Sequence, residues 1–455
     1  MAVCYAYRHF FLFYYMLLSA TFRNILSFEG DTTIDFTTGK SKVLSEQICW
    51  DGKRDDFHIL KTILIFGPNG AGKSNICWCL KCLQNIILGM FHTNFLRSFK
   101  LGKEKVSTSF IQVVIKSKGG YYEYSIEFNL TKIFSETLFK INQRSRKLIF
   151  ERISNGDSYK YNFGIVRGNS ENSQFLDFVA EGTSSDESFV YEYIHRNGKG
   201  LIDIEYVYDW FLNELNVIFP QSKFRSLPLA LKKDDKFAEC LRLLLKYLNT
   251  GVDDVKLCGL NFEEVNIPDS EKRHIVSDLK RNPKMMISVD SNETIYLFEM
   301  NKGNILCNRI VTYHKNLKGV PVSFDLQEES DGTIRLLNIL PMLIDMHFND
   351  AVYLIDEIDR SMHPLLTKAL LEIYFRIMSS KQTQLICTTH EAYLLDEKLR
   401  PDQFWFIRKN KHGASSVFPL GNKRLRAVLS KIYLSGDNDF VPQFEDQYLE
   451  EFLNQ

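Results

Sequence analysis

The sequence predicts an α/β fold: a mixed, mainly parallel sheet carrying a phosphate-binding loop, an antiparallel β subdomain and a compact helical lid insertion. Three observations carry this expectation. The apolar run Ile63-Leu64-Ile65-Phe66 leads into Gly67-Pro68-Asn69-Gly70-Ala71-Gly72-Lys73-Ser74, a G-x-x-x-x-G-K-S loop followed by a helical pattern. The runs AVYLIDE (351–357) and LICTTH (385–390) flank a helical segment, which reads as a parallel strand–helix–strand crossover. Residues 106–152 alternate apolar and polar around Gly119-Gly120, a hairpin signal.

Composition bounds the rest. The chain has 455 residues, 45% hydrophobic and 25% charged, the balance of a globular protein of about two or three domains. Lys plus Arg and Asp plus Glu are both 56, so a global basic field is absent and nucleic acid would need a local patch. The nine cysteines are odd in number and not spaced as a disulfide scaffold, which points to a reducing compartment. Cys77, Cys79 and Cys82 read as packed helix residues, because no second cluster completes a zinc site. The apolar run His9–Ala20 is shorter than the about 20 residues a membrane span requires. The expectation is a cytoplasmic protein with no membrane segment, its first fifteen residues an extension ahead of Met16.

In chain order, residues 17–150 form the first part of the phosphate-binding domain. LLSATFRNILSFEGDTTIDF (17–36) reads as two strands joined at Glu29-Gly30-Asp31. The loop glycines let backbone N–H groups face phosphates, and the helix that follows, with Ile76, Leu80, Leu83, Ile86 and Ile87 on its apolar face, adds its positive end. Lys73 is placed to reach the β- and γ-phosphates of a nucleotide, and Ser74 to ligate Mg²⁺. Residues 151–284 form a mainly helical lid, with 170–198 as a polar surface loop. The region 203–250 is helical but has no sustained heptads, which excludes long coiled-coil arms.

Residues 285–420 form the second part. After strands over 285–314 comes Gln327–Thr333, opening an apolar helix through Leu336, Leu337, Ile339 and Leu340. Ser330 and Gly332 at that helix start fit an anion-binding site, although taken alone the segment favours the simpler reading of a helix cap. Asp356, at the tip of AVYLIDE, is placed to hold Mg²⁺ through water, and Glu357 to polarise the attacking water. His390 ends a parallel strand beside them, where ligands of such sheets bind, and suits contact with the γ-phosphate or the water.

Residues 421–455 form a tail. Too few residues follow His390 for a second catalytic domain, so no nuclease is expected in this chain, and Asp437 and Asp439 read as a solvated loop. Phe440, Phe444, Tyr448 and Phe452 either dock a partner or pack on the chain's own core. Two basic clusters stand out: Lys140, Arg144, Arg146, Lys147 and Arg152; and Arg408, Lys409, Lys411, Lys423, Arg424 and Arg426. They read as a solvated face or as a DNA or RNA track.

The order GPNGAGKS, ESDGT, YLIDE, TTH resembles the ATP-binding-cassette class of P-loop ATPases, in the branch of SMC, RecF and OLD heads. FRNILSF (22–28) and Asn75 are similar to that branch. The stretches SDGTIRLLNILPML, LIDEIDRSMHPLLTKALLEIY, TQLICTTHEAYLLD and LRPDQFWFIRKNKHGASSVFPL resemble abortive-infection ATPases of the RloA-like and AbiL-type groups. They are also similar to the ATPase subunits of two-gene anti-phage systems such as Septu and PARIS. The resemblance covers roughly 17–115 and 285–420. It implies a homodimer or larger oligomer sandwiching ATP, with Lys73 and Ser74 of one copy facing Ser330 and Gly332 of the other, and Asp359 in a loop that crosses the dimer. It further implies ATP hydrolysis coupled to a partner effector, a nuclease or toxin. A RecF-type repair head, a transporter's nucleotide-binding subunit and a non-hydrolysing nucleotide sensor are the alternatives.

Overall fold

The computed structural model describes residues 15–38, 43–50, 56–91, 97–102, 108–164, 170–198, 200–291, 294–420, 429–434 and 446–453. The chain forms two compact units: the described residues of Phe11–Pro220, Asn349–Asp359 and Arg376–Gln455 make the larger, and those of Gln221–Phe348 and Arg360–Phe375 the smaller.

The elements of the larger unit that frame its two large sheets are, in chain order, β1 (Met16–Arg23), β2 (Thr32–Asp35), β3 (Thr62–Phe66), α1 (Lys73–Ile87), β4 (Ser109–Ser117), β5 (Gly120–Phe128), β6 (Ile133–Ile141), β7 (Arg146–Asn155), β8 (Ser158–Phe163), α2 (Ser170–Gly182), α3 (Phe189–His195), α4 (Ile202–Asp209), β9 (Leu215–Ile218), β10 (Val352–Ile355), β11 (Gln384–Thr389), β12 (Phe404–Lys409) and β13 (Ser415–Pro419). A six-stranded sheet runs in the order β9-β10-β11-β3-β12-β13, parallel throughout except for the antiparallel edge pair β12–β13. β3, β10 and β11 are buried on both faces, as their unbroken apolar runs require. A seven-stranded antiparallel sheet, β8-β7-β6-β5-β4-β1-β2, alternates instead, with Ile111, Val113 and Ile115 of β4 opposite Ile126, Tyr124 and Tyr122 of β5. One apolar core joins both sheets to α1, including Phe22, Ile65, Leu80, Val113, Tyr124 and Leu354.

A buried ion pair fixes the antiparallel sheet to its helices. Glu136 and Arg152, both fully buried, lie 3.8 Å apart. Glu136 accepts the Phe189 and Val190 N–H groups at the start of α3, while Arg152 donates to the Ser184 and Glu187 carbonyls. These bonds supply partners for charges that burial would otherwise expel.

Two expectations are corrected at the level of elements. The polar stretch 170–198 is α2 and α3, not a surface loop. Leu176, Val179, Phe189, Val190 and Tyr193 join the core, and the buried Ser188 caps α3 by accepting the Tyr191 N–H at 3.1 Å. Within the region expected to be helical, Leu215–Ile218 is the edge strand β9, and the chain of the smaller unit begins at Gln221.

The smaller unit carries an antiparallel sheet, Asp254–Leu260, Asn304–Lys315, Thr294–Asn301 and Met286–Ser291 in that order, with Pro321–Asp325 added against Asn304–Lys315. Ile275 and Leu279 of the helix Asp269–Arg281 cover Tyr296 and Phe298. Helices Asp331–Phe348 and Pro364–Met378 start in this unit. Among the described residues no helix is long and apolar enough to cross a membrane.

Candidate functional site

The chain leaves β3 at Phe66 and turns through Gly67–Gly72 into α1. Gly70 and Gly72 have φ of 75° and 108°, backbone conformations that a side chain resists. At Gly67 the need is space: a Cβ would lie 2.4 Å from the Ile407 carbonyl of β12. Pro68 is half-buried, Asn69 and Gly70 form the exposed tip, and Ala71 is buried. Gly72 caps α1 with no side-chain bond, so no side chain competes for the first-turn N–H groups.

Lys73 is 5% exposed. Its ammonium donates to the Gly67 carbonyl at 2.7 Å, the Pro68 carbonyl at 3.1 Å and His390 Nδ1 at 3.3 Å. A charged lysine only donates, so the His390 Nδ1 accepts and its proton sits on Nε2. Burial pulls Lys73 down to about 8, against the attraction of Glu357, Asp356 and Asp359. Burial, and then the Lys73 charge, lower His390 as well.

β10 ends beside this loop. Asp356 is 2% exposed, its N–H donates to the Ile218 carbonyl at 2.8 Å, and its carboxylate accepts from Thr388 Oγ1 at 2.7 Å. Burial raises the Asp356 carboxyl, and hydrogen bonds from Thr388 and Ser74 oppose the shift. Glu357 has φ of 49°, which costs a non-glycine residue about 1–2 kcal/mol. Thr388 holds that turn: its Oγ1 accepts the Glu357 N–H at 2.8 Å and its carbonyl the Ile358 N–H at 3.1 Å. Asp359 Oδ2 accepts the His390 N–H at 3.1 Å, while Oδ1 is buried without a hydrogen-bond partner.

The fold thus brings Gly67–Ser74, Asp356, Glu357, Asp359 and His390 together at the carboxyl ends of three adjacent parallel strands. Ser330 and Gly332 lie in the smaller unit. There Ser330 caps the helix Asp331–Phe348 by accepting the Thr333 N–H at 3.1 Å. A Cβ on Gly332 would stand 3.0 Å from the Ser361 carbonyl.

For a divalent cation, the Ser74 hydroxyl and the buried Asp356 carboxylate, already joined by a hydrogen bond, form an oxygen pair suited to Mg²⁺. Among the described residues no group of three or more His, Cys, Asp or Glu forms a separate metal cage. Mg²⁺ commonly takes one or two protein ligands and completes its shell with phosphate and water, which fits this pair.

Two residues of the site were not singled out in the sequence. Thr388 was legible as a polar residue inside an apolar strand. Tyr433, in the tail, packs its ring 6.0 Å from both Phe66 and Phe406 and hydrogen-bonds the Gly67 backbone, so the tail packs on the chain's own core at this residue. Of the other tail aromatics, Phe452 is exposed. Phe440, Phe444 and the side chain of Tyr448 fall outside the described residues, as do Asp437, Asp439, Lys423, Arg424 and Arg426. The first basic cluster is largely consumed internally: Arg152 is buried, Lys140 pairs with Asp203 at 2.8 Å, and Arg146 pairs with Glu123 at 2.5 Å.

Among solved structures, the chain is similar to the SMC head domain from Thermotoga maritima (13% identity, 89% of this chain and 98% of that one, TM-score 0.36). It is also similar to an SmcHead bound to the C-winged helix domain of ScpA (12%, 88% and 96%, 0.41). A third similar structure is an Smc head domain with an extended coiled coil bound to the C-terminal domain of ScpA derived from Pyrococcus furiosus (11%, 96% and 100%, 0.41). At these values nothing about activity or partners follows for this chain. No curated protein matches it. Residues 63–396 match a family model, and they span the loop, Asp356, Glu357 and His390. The chain therefore belongs to the family described as "AAA domain, putative AbiEii toxin, Type IV TA system".

Proposed function

We propose that this P-loop ATPase binds and hydrolyses ATP with Mg²⁺, closes a head-to-head dimer around it, and signals to a partner effector, a nuclease or toxin, in anti-phage abortive infection. The observation that carries the reading is the convergence of Lys73, Ser74, Asp356, Glu357 and His390 at one edge of a parallel sheet. Lys73 supplies positive charge to the β- and γ-phosphates, and the N–H groups of the loop and of the start of α1 cradle them. Ser74 and Asp356 would hold Mg²⁺, whose charge offsets that developing on the phosphate oxygens. Glu357 orients the attacking water and takes up its proton. His390, with its Nε2–H, donates toward the γ-phosphate. Ser330 and Gly332 act in trans on the nucleotide of the second copy, the helix start at Asp331 adding its positive end.

The family description, with its reference to a toxin–antitoxin system, supports the defence setting. The paired basic side chains around Lys140 and Arg146 disfavour a nucleic-acid track there.

Glu357→Gln is the test. The variant should bind ATP with wild-type affinity, hydrolyse it about 10²–10⁴-fold more slowly and accumulate as a dimer by light scattering. Full turnover in this variant would remove Glu357 from catalysis. The same variant, used as bait for the native complex with and without ATP, should retain a nuclease or toxin-like protein according to nucleotide. Recovery of only repair-clamp or polymerase proteins would replace the defence setting with a repair one.

A further inference from the structure

Two serines far apart in the chain meet at the back of the phosphate-binding loop, and both lie outside the residues that match the family. Ser27 follows β1, and Ser415 opens β13; they are 6% and 3% exposed. Ser415 Oγ lies 2.6 Å from the Ala71 carbonyl oxygen and 2.8 Å from Ser27 Oγ, and Asn75 Nδ2 donates to Ser27 Oγ at 2.7 Å. The Ser415 N–H also donates to the Ser27 carbonyl at 2.7 Å.

The direction of this chain of bonds follows from proton counting. A carbonyl only accepts, and each serine hydroxyl has a single proton. The Ser415 proton therefore goes to Ala71. The Ser27 proton then goes to Ser415, and Asn75 Nδ2 donates to a lone pair of Ser27 Oγ. The bonds run one way, from Asn75 through Ser27 and Ser415 to the Ala71 carbonyl. Gly72 makes room for them: a Cβ there would lie 2.4 Å from Ser415 Oγ and 2.6 Å from Ser27 Oγ.

The bonded carbonyl belongs to the Ala71–Gly72 peptide. That peptide is planar and trans, so its N–H points opposite to its C=O. Holding the Ala71 carbonyl on Ser415 aims the Gly72 N–H away from the serines. We propose that Ser27 and Ser415 are positioning residues that preset the Gly72 amide to donate to a nucleotide phosphate before the nucleotide arrives. This deepens the ATP-binding reading above and rests on it. A preset donor does not have to be ordered at the moment of binding, which is where the affinity gain arises.

The experiment measures Mg-ATP affinity by isothermal titration calorimetry, and kcat and KM for hydrolysis, on the full chain. Wild type is compared with Lys73→Ala, Ser415→Ala, Ser27→Ala and the double variant, each verified as folded by circular dichroism. We expect Lys73→Ala to abolish binding. Each serine variant should bind about fivefold more weakly, the value of one net hydrogen bond, with KM raised and kcat within twofold of wild type. Because both serines sit in one chain of bonds, the double variant should lose less than the product of the single losses. Wild-type ATP affinity in a folded Ser415→Ala or Ser27→Ala, with Lys73→Ala inactive, would overturn the proposal and leave ATP binding intact. A wild-type chain that does not bind ATP, or a Lys73→Ala chain that binds it normally, would overturn both. Ser27→Ala removes no bond to the loop itself, so it carries the test if Ser415→Ala does not fold.

Discussion

The proposed contact of the Lys73 ammonium with ATP makes binding depend on pH in a range where the nucleotide itself no longer titrates. Burial brings this lysine from 10.5 to about 8, because three hydrogen bonds in a tight loop do not replace the water it has lost. Raising the pH from 7.5 to 9.5 lowers its charged fraction about 25-fold. A bound triphosphate favours the charged form, so the complex re-protonates Lys73. Affinity should then fall by about that factor, roughly 2 kcal/mol, and binding near pH 9.5 should take up close to one proton. Calorimetry at each pH in two buffers of different ionisation enthalpy measures both quantities. Lys73→Arg stays charged throughout and should flatten the pH curve. Stability of the nucleotide-free chain moves the other way. The folded pKa lies below the unfolded one, so between pH 8 and 10.5 the unfolded chain holds more protons and stability rises with pH. A constant affinity across this range with no proton uptake would refute the assignment of Lys73 as a buried, titrating phosphate ligand.

Three further outcomes are expected. Thr388→Val keeps the side-chain shape but removes the donor to Asp356 and the acceptor for the Glu357 N–H; kcat should drop at least about tenfold while ATP affinity stays within a few-fold, and an unchanged kcat would deny Thr388 its positioning role. Arg152→Met leaves Glu136 buried without its cation and should cost about 3–5 kcal/mol in urea denaturation, a loss below about 1 kcal/mol being incompatible with the buried pair. Gly67→Ala drives a Cβ toward the Ile407 carbonyl of β12 and should lower both Tm and ATP affinity; normal values for both would mean that the loop does not pack on β12 as described.

The parts of the site that were legible in the sequence are those whose chemistry demands particular residues at short spacing. A phosphate loop needs glycines and a lysine within eight positions, and an apolar strand ending in Asp356-Glu357 announces itself. The Ser27–Ser415 contact spans 388 positions and exists only because β12 and β13 extend the sheet beyond β3. Neither serine differs in sequence from any surface serine. The stretch 170–198 misled for a different reason. Its polar composition is that of a loop, but Leu176, Val179, Phe189 and Val190 are spaced to give α2 and α3 one apolar side each. β9 was hidden by brevity: four residues give no period, and its place is set by pairing with β10.

The resting arrangement of Lys73 suggests how nucleotide arrival reaches His390. An ammonium has three N–H groups, and here they meet three acceptors: Gly67, Pro68 and His390. A phosphate that engages Lys73 must displace one of them. The Gly67 and Pro68 carbonyls belong to the loop that folds around the phosphate, and their bonds, at 2.7 and 3.1 Å, are the shorter. The 3.3 Å contact with His390 is the weakest, and its acceptor belongs to a different strand. Its release would free the His390 ring while Asp359 still holds the backbone N–H, so the imidazole can turn about a fixed main chain. The phosphate's negative charge would offset the Lys73 charge, one of the causes lowering His390, so the imidazole should also become more basic. On this reading ATP binding does more than fill the loop: through one lysine it changes the orientation and the proton affinity of His390.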